Sequence, residues 1–173
     1  ADDIAALKAA GVTSVTGARL RSDDVAEDTA ASAVAALLAG PHTQVRKAYT
    51  GRCNLHATVH GVLVVDVEAI IRTNRIDESI TVGTLPPWST VRKGQVIATV
   101  KIIPLGVNPN VIESCQSVLA TAPLHVAKLT AQRVALIFSE LPGLTENAIA
   151  ATRAATRQRI EALGSRIALE LRC

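Results

Sequence analysis

Apolar residues recur along this chain with two different periods, and the switching between them predicts a mixed α/β protein. Ile4, Leu7 and Ala10 sit three apart between an acidic start and Gly11, which predicts a short helix over Asp2 to Ala10. Val12 to Leu20, rich in Val and Thr, reads as a strand. Asp24 with Glu27 three residues later has the form of a capping box. Val25, Ala33, Val34, Leu37 and Leu38 mark the buried side of the helix it opens, and Gly40-Pro41 reads as its stop. Between Gly51 and Gly61 the reading stays open: Cys53, Leu55, Ala57 and Val59 alternate as in a strand, while Gly61 would also suit a helix end. Val62 to Val65 reads as a buried strand, and Asp66 as the cap of a helix through Asn74 with Val67, Ile70 and Ile71 inward.

From Ser79 to Val107 the chain becomes a β-rich module, with strands over Ile80 to Thr84 and Gln95 to Ile103 and turns at Pro86-Pro87 and Lys93-Gly94. Asn108 to Ala120 reads as a helix, and the loop at Thr121 to Pro123 as the best internal boundary. Beyond it, Arg133 to Phe138 is a near-continuous apolar run of the kind found in parallel sheets. A helix from about Glu146 to Leu163 follows, carried by Ile149, Thr152, Thr156, Ile160 and Leu163 and ended by Gly164, and then a strand over Ser165 to Leu171. Strand, helix and strand make one crossover, and a single crossover cannot cover a parallel sheet. The expected organisation is therefore a mixed α+β region over residues 1–122 and the first β-α-β unit of a parallel α/β domain, cut short, over 123–173.

Composition narrows the function classes. At 173 residues the chain can bury about 70% of its unfolded surface, and with 49% hydrophobic residues it has the material to do so. One Trp, one Tyr and one Phe leave an aliphatic core and no aromatic platform for stacking bases. The net charge is +3 and no basic stripe runs along the sequence, so nucleic acid is not an expected partner. The apolar runs fall far short of the roughly 20 residues of a membrane span, and no secretory leader pattern begins the chain. Three widely spaced cysteines point to a reducing, cytoplasmic compartment. A start at Ala1 and the absence of methionine suggest a fragment or processed chain.

Several constellations invite chemistry. His56 and His60 would share a metal on a helix, but on a strand they stand roughly 13 Å apart. Neither the zinc-protease Glu nor a third ligand accompanies them, and two surface histidines are the plainer reading. Cys53, Cys115 and Cys173 lack metal or redox spacing, and Cys53 beside Arg52 is a nucleophile only if its pKa is lowered. Lys101, in an apolar strand, either meets a phosphate or lies at an exposed edge, the edge being favoured; Arg153 and Arg157, one helical turn apart, read as a solvated face. The loop Ser139-Glu140-Leu141-Pro142-Gly143 lies at the carboxyl end of a strand and before a helix N-terminus, where open α/β sheets bind ligands; an ordinary turn is the equal alternative.

Glu27-Asp28, Thr50-Gly51-Arg52-Cys53-Asn54-Leu55, Val64-Val65-Asp66, Ala98-Thr99-Val100-Lys101-Ile102-Ile103-Pro104 and Leu141-Pro142-Gly143-Leu144 together resemble, in content and order, the bacterial molybdopterin-binding proteins of molybdenum cofactor biosynthesis. The resemblance spans nearly the whole chain. It implies a molybdotransferase-like protein whose last domain takes molybdopterin, with molybdate and Mg2+ in a longer chain; a homo-oligomer is expected separately, from the β-rich stretch Ser79 to Val107 and the Ala-rich helices. It makes Ser139, Glu140, Gly143, Arg52, Asn54 and Lys101 the expected pterin-binding residues and leaves enzymatic activity open. The alternative is a non-catalytic assembly module built on the β-rich stretch.

Overall fold

The computed structural model describes residues 2–15, 17–140 and 142–173. Ala1, Thr16 of the expected first strand, and Leu141 of the expected ligand loop lie outside the described residues. Among those described, the chain is mixed α/β with five helices and eleven strands.

The helix α1 (Asp2–Ala9) forms, with Ile4 and Leu7 left exposed. The strand expected next does not: residues 12–15 and 17–20 are irregular and exposed. Val and Thr favour a strand only where a neighbour accepts the ladder bonds and covers the side chains, and this stretch has neither. β1 (Val25–Ala26) instead runs directly into α2 (Glu27–Leu38). The capping box is absent, since Ala26 is the N-cap and the Asp24 carboxylate accepts from Arg21 N at 2.8 Å. A tertiary partner does the capping: Glu27 N donates to Leu105 O at 3.0 Å. The helix buries Ala30, Ala31, Val34, Ala35 and Leu38, small residues that let it lie close on the sheet, while Val25, Ala33 and Leu37 only flank the core. Gly40 is not a left-handed stop but a close approach, because a Cβ there would overlap the Leu124 carbonyl that its own N–H bonds at 2.8 Å.

The remaining elements follow in order: β2 (Thr43–Val45), β3 (Arg52–Ala57), β4 (Gly61–Val65), α3 (Val67–Asn74), β5 (Ile80–Thr84), β6 (Thr90–Val91), β7 (Val96–Ile102) and β8 (Gly106–Val107), then α4 (Pro109–Val118), β9 (Leu124–Lys128), β10 (Arg133–Phe138), α5 (Glu146–Ala162) and β11 (Arg166–Arg172). The open reading of Gly51 to Gly61 resolves as strand, with Cys53, Leu55 and Ala57 buried, and Gly61 begins β4. Asp66 caps α3 as expected, its carboxylate accepting from Ala69 N at 3.0 Å.

Four strands make an antiparallel sheet in the order β2-β3-β7-β5, and three more the order β6-β4-β9. The β-rich stretch therefore does not stand apart: β5 and β7 join β3, and β6 joins β4. Strand β9 lies beyond Thr121 to Pro123 yet pairs with β4 along its length, so the core reaches Val126. That core is aliphatic, with Leu38, Leu55, Leu63, Ile80, Ile97, Ile102 and Leu124 fully enclosed, each burial worth about 1.5–3 kcal/mol. The outer edge of β5 is closed by one side chain: Asn74 Nδ2 donates to Val82 O at 2.9 Å and its Oδ1 accepts from Val82 N at 2.7 Å. At Val82 this leaves neither backbone group open to an added strand.

Strands β10 and β11 pair in parallel, joined through α5, from Arg133↔Arg166 to Phe138↔Arg172 with a bulge after Val134. The crossover expected at the end of the chain is present. On one side α5 packs with Ile149 buried, and on the other Ile137, Leu169 and Leu171 face solvent.

Candidate functional site at the strand ends

The carboxyl ends of β10 and β11 meet at Phe138 and Arg172, and the ladder runs one step further. Cys173 N donates to Phe138 O at 2.8 Å, and Glu140 N to Cys173 O at 2.7 Å. Ser139 and Glu140 are thereby part of a fixed rung, and the Ser139 hydroxyl stands 3.9 Å from the Cys173 thiol. Gly143 turns the chain at φ 94, a left-handed conformation that side chains avoid. Thr145 then caps α5, its hydroxyl accepting from Ala148 N at 3.3 Å. The result is a cleft of about 230 Å³ between loop and helix, with Phe138, Leu144, Ala148 and Ile149 as apolar wall and Ser139, Glu140 and Thr152 as polar groups.

The electrostatics of this mouth centre on Arg172. Its Nε donates to Glu140, and its Nη2 and Nη1 grip the Glu146 carboxylate at 2.6 and 3.2 Å. The hydrogen bond from Arg172, and then its charge, holds the Glu146 carboxyl below the ordinary range, while the two carboxylates push the guanidinium upward. Glu140, expected to meet the ligand directly, is therefore engaged with Arg172. Arg172 itself escaped the sequence reading because the expected strand stopped at Leu171; the apolar alternation carried one residue further would have set it at the strand end. The Arg153 and Arg157 pair lies on a solvated face as expected, but its guanidinium groups are engaged there. Both reach Glu170 on β11, Arg153 at 3.0 Å, and the Arg153 guanidinium lies 5.7 Å from the Phe138 ring centre.

The other three expected residues gather elsewhere, on the four-stranded sheet. Arg52 and Lys101 are direct partners across β3 and β7, and Asn54 Oδ1 accepts from Thr99 Oγ1 at 2.8 Å. Lys101 is not at an edge, since β7 lies between β3 and β5; its ammonium donates to Thr50 O at 2.7 Å. The Thr-Gly-Arg string is a hairpin turn with Thr50 and Gly51 at φ 49 and 67, the signature of a type I′ turn. It is tied to α2 by Gly51 N donating to Asp28 Oδ1 at 2.7 Å. Among the described residues no hydrogen bond or ion pair links Arg52, Asn54 or Lys101 to Ser139, Glu140 or Gly143, so the six expected residues form two separate groups.

No family model, curated protein or solved structure matches the chain.

The remaining candidates lose their chemistry in the fold. His56 lies on β3 with Nδ1 2.8 Å from Gly94 O, and His60 directly precedes β4, so the helical spacing does not arise. Among the described residues no three metal-capable side chains cluster, and the Glu140 and Glu146 carboxylates beside the cleft are held by Arg172. Burial pushes the Cys53 thiol up, aided by the Asp28 charge, and the thiol donates to Arg46 O at 3.1 Å. An activated nucleophile needs the opposite shift. Cys115 is likewise raised, to about 11, chiefly by burial.

Proposed function

We propose that this chain binds molybdopterin in molybdenum cofactor synthesis, and that the strand-end cleft of β10 and β11 is where it does so. The observation that carries the reading is the parallel crossover itself, with a loop-to-helix cleft at its carboxyl end. Phe138, Leu144 and Ile149 offer an apolar wall to a flat ring, and Ser139 and Thr152 offer hydroxyls to its polar rim. For the phosphate, the available cation is Arg172, whose fork suits a phosphate as well as a carboxylate. Binding then exchanges Glu146 for the phosphate. Arg52, Asn54 and Lys101 take no part in this site.

Amide-resolved NMR titration with molybdopterin tests it. The expected result is shifts at Ser139, at Thr145 to Ala148 and at Thr152, with R172Q weakening binding at least tenfold. Saturating ligand that moves none of these amides, or moves only those of β3 and β7, would overturn the assignment.

A further inference from the structure

Charge is segregated along this chain, and the fold gathers the segregated part onto one surface. Residues 29–65 and 79–112 contain none of the 15 Asp and Glu, yet hold Arg46, Lys47, Arg52, Arg92, Lys93 and Lys101. These segments supply every strand of the β2-β3-β7-β5 sheet and its hairpins. Alternation decides the direction of the side chains. Cys53, Leu55, Val82, Val100 and Ile102 point into the core, so Arg52, Asn54, Thr81, Thr99 and Lys101 point outward. Arg46 joins them opposite Asn54, to which its backbone N–H bonds at 2.9 Å.

Compensating charge at this face is confined to its hairpin end, where the carboxylates of Glu27 and Asp28 approach Gly51. Arg52 and Lys101 are like charges set directly opposite each other, an arrangement that weakens a ladder unless something neutralises it. Glu27 and Lys101 both reach over Gly51, yet among the described residues none of the six cations enters an ion pair. Asp28, at the hairpin end, is occupied by Gly51 N.

We infer that the outer face of the four-stranded sheet docks an acidic segment of a partner protein, independently of what the strand-end cleft binds. Arginine forks pair carboxylates two-point, which suits Arg46 and Arg52. Nucleic acid fits less well, because no aromatic ring stands at these outward positions to stack a base. A second copy is the competing occupant, because Glu68, Glu78 and Glu113 are exposed and enter no ion pair among the described residues, and its signature is self-association.

The experiment is fluorescence anisotropy of a labelled ten-residue polyglutamate peptide with the intact chain at 50 and 200 mM salt, with a ten-base oligothymidine and sedimentation velocity alongside. The expected result is peptide binding that weakens steeply with salt, falls at least tenfold in R46Q/R52Q/K101Q, and is unchanged in R19Q/R21Q. Amide shifts confined to β3, β5 and β7 on adding peptide to the unaltered chain keep the test meaningful should the triple variant misfold. Four results would overturn the inference: no binding at 50 mM salt, equal loss in both variants, tighter binding of the oligonucleotide at the same residues, or salt-sensitive self-association through them.

Discussion

Three glycines separate the two costs of placing a side chain where the backbone expects none. Gly83 has ordinary φ and open space above it, so Ala there gains strand propensity worth about 0.5 kcal/mol. Gly94 has φ +87 and again open space, so Ala pays left-handed strain of about 1–2 kcal/mol, partly offset by a stiffer unfolded chain, for a net loss of about 1. Gly51 has φ +67 and no space: a Cβ would stand 2.7 Å from both Ile102 O and Glu27 Oε2 and 3.1 Å from Lys101 Nζ. The two side chains can swing aside, but Ile102 is held, its N–H donating to Gly51 O at 2.7 Å. The hairpin must therefore lift, which stretches the charge-assisted bond from Gly51 N to Asp28, itself worth about 1.5–3 kcal/mol. Strain and displacement together predict a loss of about 3 kcal/mol for Gly51→Ala. With an m-value near 2 kcal/mol/M, that moves the urea midpoint down by about 1.5 M, against about 0.5 M for Gly94→Ala and a slight rise for Gly83→Ala. Equal midpoints for the Gly51 and Gly94 variants would show that the close approach contributes nothing and that the hairpin is not clasped to α2.

Asn74→Ala removes both bonds that close the β5 edge and is expected to cost about 1–2 kcal/mol in urea unfolding. It should also raise the rate of light-scattering growth on warming, because Val82 is left as an open edge; Asn74→Asp, which keeps the acceptor, should lose less. The Cys115 thiol titrates near 9 unfolded and about 11 folded, so its stabilisation is complete below pH 9 and is lost as pH climbs towards 11, a fall of about 2–3 kcal/mol. The pH profile of Cys115→Ala should fall less over that range, the raised Cys53 thiol still contributing, and a matching decline in both proteins would refute the assignment. Arg172→Gln should return the Glu146 carboxyl upward towards its ordinary pKa, seen by carbon NMR titration. In the unaltered chain that carboxylate's contribution is present above the ordinary carboxylate pKa and fades as pH falls below it.

Where local signal and tertiary need agreed, the elements were legible in the sequence. Asp66 capping α3, the apolar run of β10, and the helix bounded by Thr145 and Gly164 all rest on contacts within a few residues of one another. The misreadings share one cause. Asp24 and Glu27 look like a cap, but Leu105, nearly eighty residues away, supplies the partner for the helix start. Gly40 looks like a stop, but Leu124 explains it, and Val12 to Leu20 has strand residues without a strand beside it. Strand β9 was unreadable for the same reason, since its identity comes from β4.

The same distinction governs the sites. Ser139 and Gly143 can be singled out from the sequence as candidates because a strand end followed by a helix start is a local pattern that carries its own geometry. Arg172 was missed because its role is created by parallel pairing across the whole of α5, which brings it to Glu140 and Glu146. Arg52 and Lys101 were noticed as single residues in distinctive strings, and only the register of β3 against β7 shows that they are one feature, two cations facing each other on an acid-free sheet. A β-ladder does not place like charges opposite each other for its own stability. If Arg52→Gln strengthens the fold by a few tenths of a kcal/mol in low salt and less at high salt, the pair is a cost the fold carries for another purpose; if it weakens the fold, the ladder itself uses the charge and the docking inference loses its main support.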